Sequence, residues 1–121
     1  MSIQTYKDLI VWQKAKDLAK SVYLLTEQFP QSEMYGLSSQ MRRAAISIAS
    51  NIAEGRRRST KKDFRNFLCI SFGSGAELET QVAIAKELHF SSKLDYTKIE
   101  QLLDEVMRML NVMIRKLQAT S

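Results

Sequence analysis

Residues 61–88, KKDFRNFLCISFGSGAELETQVAIAKEL, decide the fold. Within them Phe64, Leu68, Ser71, Gly75, Leu78, Val82 and Ala85 recur at alternating intervals of four and three. That spacing keeps one stripe of a helix facing one way for about six turns, which no strand alternation reproduces. Thr60 stands where a cap belongs, so the pattern predicts a third helix from there to about Leu88. Small residues in the middle of the seam let a neighbouring helix approach closely. Phe67, Cys69, Ile70 and Phe72 lie off the seam, so from Phe64 to Phe72 the helix is apolar almost all round. A helix of that kind is buried on several sides, which points to a subunit interface and makes Cys69 a buried thiol.

Working outward, three more amphipathic helices follow from the same period. About Asp8 to Gln28, Leu9, Trp12, Ala15, Ala19 and Val22 form a stripe, with Thr5 as a cap and Phe29-Pro30 as the stop. About Ser39 to Glu54, Leu37, Met41, Ala44, Ala45, Ile48 and Ile52 form the apolar face, capped by Ser38 and stopped by Gly55 in a left-handed conformation. A polar seam of Gln40, Arg43, Ser47, Asn51 and Glu54 runs opposite. About Lys98 to Ala119, Ile99, Leu103, Val106, Leu110, Met113 and Leu117 repeat behind a Thr97/Glu100 capping box. Short links favour antiparallel neighbours. The expectation is an all-α, up-down-up-down four-helix bundle formed as one domain by residues 1–121.

A chain of 121 residues with 45% hydrophobic and 26% charged composition, four Gly and one Pro is neither disordered nor collagen-like. One Cys permits no intrachain disulfide. No apolar run reaches the roughly 20 residues of a membrane span, and MSIQTYKDLI lacks the shape of a secretory leader, so a cytoplasmic protein without membrane contact is expected.

The net charge of +5 is concentrated. Residues 42–65 hold Arg42, Arg43, Arg56, Arg57, Arg58, Lys61, Lys62 and Arg65 against Glu54 and Asp63, leaving ten cations and eleven anions elsewhere. Arg56, Arg57 and Arg58 sit where a helix C-terminus favours cations, but Lys61, Lys62 and Arg65 fall in the first turns of the next helix, where the dipole opposes them. Capping therefore leaves their charge unexplained. The six together, Arg56, Arg57, Arg58, Lys61, Lys62 and Arg65, form a candidate site for nucleic-acid backbone. Apart from Phe64, which belongs to the apolar seam, no aromatic is interleaved with them in sequence, which argues against base stacking.

No catalytic pattern competes with this reading. His89 is the only histidine and has no ligand at metal spacing; the Glu-x-x-His pairs of di-metal bundles are missing; Phe72-Gly73-Ser74-Gly75 lacks the Lys-Ser/Thr of a phosphate loop. No enzyme, cofactor or metal is expected. Gly73 and Gly75 are instead read as sites of close helix approach.

Tyr6-Lys7-Asp8-Leu9-Ile10-Val11-Trp12, Gln40-Met41-Arg42-Arg43-Ala44-Ala45 and Asn51-Ile52-Ala53-Glu54-Gly55 resemble blocks of the bacterial four-helix-bundle proteins associated with 23S rRNA intervening sequences. That family is itself similar to the accessory variability protein of diversity-generating retroelements. The resemblance implies a ring-like homopentamer and, for the retroelement relatives, a basic surface that meets nucleic acid and a reverse transcriptase. It also implies that Arg43, Ser47, Asn51 and Glu54 form a polar seam at a subunit interface rather than a ligand site. A protein-interaction scaffold that binds no nucleic acid is the alternative function.

Overall fold

Each apolar stripe becomes a helix: α1 spans Ile10–Thr26, α2 Leu37–Arg56, α3 Lys61–Ala85 and α4 Thr97–Thr120, with 3-10 turns at Tyr6–Asp8 and Gln31–Glu33. The computed structural model describes residues 5–120, so the first four residues of the stretch read for a leader lie outside the described ones. No strand occurs among the described residues, and no helix there is long and apolar enough to cross a membrane.

Helix α2 packs on α3 more extensively than any other pair meets; α1 packs on α2, α3 on α4, and α4 closes back on α1. The four stripes therefore share one interior, where Leu18, Met41, Ile48, Ile52, Leu68, Leu78, Val106 and Leu110 are fully buried. Contacts along neighbouring helices pair early residues with late ones. Gly55 meets Phe64 and Phe67, while Ser47 reaches Ser74; Gly75 meets Met107, while Lys86 reaches Glu100. Lys14 ties α1 to α4 through an ion pair with Glu105, and that bond holds the Glu105 carboxyl below the usual glutamate range.

The helix ends correct several expectations. Thr5 caps the Tyr6–Asp8 turn in a reciprocal box with Asp8, not α1, which starts one residue after Leu9. Helix α1 ends at Thr26, short of Phe29-Pro30, and the Thr26 hydroxyl donates back to the Val22 carbonyl at 2.8 Å. Ser38 lies buried inside α2; the free N–H of Leu37 is met instead by Glu33 Oε1 at 3.2 Å. Thr97 is itself the first residue of α4, and its N–H donates to Asp95 Oδ1 at 2.9 Å.

Gly55 does not stop α2. The helix runs through it to Arg56, and no residue described has a positive φ. Its missing side chain serves packing: a methyl group there would lie 2.7 Å from Phe67 Cβ and 3.1 Å from a Phe64 ring carbon. Gly75 plays the same part against α4, where a methyl group would fall 2.2 Å from Met107 Sδ. Gly73 does not, since a methyl group there meets nothing within 4 Å. Cys69 and Ile70 are exposed while Phe67 and Phe72 are half-buried, so the off-seam part of the greasy run is split between the outside of the chain and its core.

These two contacts separate in a denaturation experiment. Alanine normally gains about 1 kcal/mol over glycine inside a helix. At Gly55 the obstacle is a carbon fixed to the α3 backbone, so Gly55→Ala should instead cost about 1 to 3 kcal/mol. At Gly75 the obstacle is the movable end of a methionine, and Gly75→Ala should cost less. Stabilisation by Gly55→Ala in urea unfolding would contradict the close α2–α3 approach.

Candidate nucleic-acid interface

Only residues 57–60 join α2 to α3, so the six candidate cations are confined to one end of the helices. Thr60 fixes the start of α3 by accepting the Asp63 N–H on Oγ1 at 3.1 Å. Arg57, Lys61 and Lys62 are exposed there. Arg58 is exposed but engaged: Nη2 lies 2.8 Å from Glu54 Oε1, and its guanidinium stands 4.9 Å above the Phe67 ring centre. Arg65 is half-buried, donates from Nη2 to Gln118 Oε1 at 3.2 Å, and has a buried Nε with no hydrogen-bond partner among the described residues. The cluster thus divides into cations presented to solvent and cations that also tie α3 to α2 and α4.

The fold adds residues that sequence proximity does not reveal. Thr5, Tyr6 and Lys7 line a pocket of about 400 Å³ together with Arg56 and Arg57, half the chain away. The contact with Gln118 brings the last turns of α4 to the same end, where Arg115 and Lys116 are exposed. Conversely, Arg42 leaves the cluster. It stands 14 residues before Arg56 on one helix, about 21 Å away at 1.5 Å per residue. There its Nε donates to Thr26 Oγ1 at 2.8 Å and its guanidinium covers the Tyr23 ring at 4.7 Å.

The polar seam is likewise divided. Ser47 joins α2 to α3, its hydroxyl oxygen 2.8 Å from that of Ser74, and Asn51 braces it within α2, with Nδ2 donating to the Ser47 carbonyl at 2.9 Å and to its Oγ at 3.0 Å. Glu54 turns to Arg58 in the basic turn. Arg43 is exposed and lines a groove of about 300 Å³ with Ser47, Ser74, Glu77 and Gln81, whose Oε1 is buried without a hydrogen-bond partner. A larger and more apolar cavity of about 520 Å³ adjoins it, lined by Tyr23, Met34, Tyr35 and Ile46, with Tyr35 93% exposed. Among the described residues no cluster of His, Cys, Asp and Glu could hold a metal ion, and His89 lies exposed with its ring edge-on to Phe90.

A family model described as 23S rRNA-intervening sequence protein matches residues 7–112, a span that holds all of the candidate cations and the whole polar seam. The fold is similar to that of a protein of unknown function from the S23 ribosomal protein family of Bacteroides thetaiotaomicron, solved by crystallography at 1.70 Å resolution. That likeness has a TM-score of 0.72 at 21% sequence identity and covers 87% of this chain and 98% of the other. Comparison with curated proteins gives no match.

The division of the cations makes a stability prediction. Lys61→Ala and Lys62→Ala should leave the unfolding free energy within about 0.5 kcal/mol of the parent, as surface changes do. Arg65→Ala should cost about 1 kcal/mol, because it removes a half-buried stem and the bond to Gln118. Chemical denaturation of the three variants checks this; equal losses would mean that Arg65 is as loosely held as the lysines.

Proposed function

The chain belongs to the 23S rRNA-intervening sequence protein family, and from that premise we propose that it is a non-enzymatic, cytoplasmic accessory protein that holds nucleic acid by its phosphate backbone. The observation that carries this reading is the four-residue connection, which gathers Arg56, Arg57, Arg58, Lys61, Lys62 and Arg65 at one end of the helices. Structure alone needs some of these charges, since Arg58 and Arg65 have partners within the chain. It has no use for exposed Lys61 and Lys62 in the first turn of α3, where the helix dipole disfavours them by about 0.3 to 1 kcal/mol each. Lys7 joins the site from the amino-terminal turn.

The helices run antiparallel, up-down-up-down, a topology supported by the early-with-late pairing of neighbours. The working unit is a homo-oligomeric ring, most simply of five subunits. Support for self-association comes from the outside of α3. Gly73 there is about 1 kcal/mol worse than Ala for the helix and gains no contact within its own chain. Ile70 and Ile84 are 51% and 47% exposed on the same helix, and covering this surface with a second copy accounts for all three. Five basic ends on one ring would add their phosphate contacts by avidity.

Filter binding against salt tests the function. With about four phosphates neutralised per subunit, log affinity for duplex DNA should fall with log salt at a slope near -3.6, or about two decades between 50 and 200 mM. Changing Arg57, Lys61 and Lys62 together to Glu should abolish binding while leaving the helices folded. The same triple change at exposed Lys20, Lys93 and Lys98 should cost far less. Equal losses would mean general charge attraction. No binding at 50 mM salt would leave the protein-interaction scaffold, whose basic end meets an acidic protein partner or nothing at all.

A further inference from the structure

We infer that the pocket between the Tyr6–Asp8 turn and the end of α2 takes one nucleotide unit of a single strand, its phosphate on Arg56, Arg57 and Lys7 and its base against Tyr6. The inference rests on the proposed nucleic-acid binding and adds what that reading left out, a contact to the base. In sequence, the one aromatic among the cations, Phe64, belongs to the apolar seam; in the fold, Tyr6 lines the same pocket as Arg56 and Arg57.

The dimensions and chemistry agree. A pocket of about 400 Å³ is of the size class of small-molecule sites and accommodates a nucleotide, whereas a base paired in a duplex cannot enter it without leaving its stack. Two guanidinium groups and an ammonium line one pocket, and arginine suits phosphate because its planar fork donates two parallel hydrogen bonds. The partial negative charge at the α2 C-terminus amounts to about half an elementary charge, less than the cations beside it carry. The neighbouring Asp8 carboxylate accepts the Thr5 N–H on Oδ2 at 3.1 Å and keeps its negative charge, which offsets one of the three cations and still leaves them in excess.

Tyr6 is braced for stacking. It is half-buried, and its ring meets Trp12 edge-on, 5.2 Å between centres at 72°, so Trp12 holds it in place without stacking on it. Trp12 in turn is steadied by the Lys16 ammonium 5.4 Å from its ring centre. A nucleic-acid base placed on an aromatic ring gains affinity without regard to which base it is, so the pocket favours unpaired strands without reading sequence.

The test uses the intact protein, and its main arm needs no variant. Fluorescence anisotropy would compare a 20-nucleotide oligouridine with an abasic strand of equal length and with a duplex. The base-bearing strand should bind about 5- to 100-fold more tightly than the abasic one. Tyr6→Ala should remove that ratio while leaving duplex binding within about twofold; Tyr6→Phe, which keeps the ring, should retain it. Uridine monophosphate at the concentration of the strand should not displace it; displacement would assign the pocket to a free nucleotide. Equal affinity for base-bearing and abasic strands would overturn the pocket while leaving backbone binding intact. Failure of the parent protein to bind any of the three probes would overturn both.

Discussion

The close approach of α2 to α3 at Gly55 is the constraint on which the rest depends. A methyl group at that position would sit 2.7 Å from Phe67 Cβ, so the two helices stay in contact to the very end of α2. Helices that close at their ends need little chain to join them, and the connection is residues 57–60. A short connection in turn leaves Arg56 to Arg65 no room to spread. Mutual repulsion within the cluster is offset locally: Glu54 takes up Arg58, the Phe67 face stabilises the same guanidinium, and Gln118 accepts from Arg65. The glycine, the phenylalanines and the charge cluster are thus one arrangement.

Further along the same pair of helices, packing changes from apolar to polar without opening a gap. Ser71 donates to the Ile48 carbonyl at 2.9 Å inside the core, and Ser47, Asn51 and Ser74 continue the line outward. Small hydroxyl residues allow the close approach that Gly55 begins, and each finds a partner, as half-buried polar groups must. Arg42 works in the same structural sense at the far end of α2, bonded to Thr26 and laid over Tyr23. Cations of one basic window of the sequence therefore serve different ends of the molecule.

Much of the fold was legible because apolar spacing is a direct consequence of helix geometry. The stripes through Ala15, Ile48, Leu78 and Val106 all became core. Helix ends were less legible, because caps depend on local competition: Glu33 rather than Ser38 meets the α2 terminus, and a glycine that resembles a stop signal is a packing residue. Cys69 reads as a buried thiol yet lies exposed, because the sequence does not show which apolar residues face the chain's own core and which face outward. The six cations were visible because they are contiguous. Tyr6 and Lys7 were not, because only the folding of α1 against α2 brings them to Arg56 and Arg57.

The claim that nucleic acid sits on this end of the molecule can be read directly from hydrogen exchange. In the connection Arg57 and Arg58 still bond back to the Ala53 and Gly55 carbonyls, but the N–H groups from Ser59 to Asp63 have no helical partner or only the Thr60 cap, so they exchange quickly in the free protein unless something covers them. With single-stranded RNA bound, peptides covering residues 5–12 and 55–66 should slow, while those covering the Tyr35–Ser47 groove and the 86–96 connection should keep their rates. Slowing confined to the groove, or none at the basic end under conditions where RNA is bound, would contradict the account.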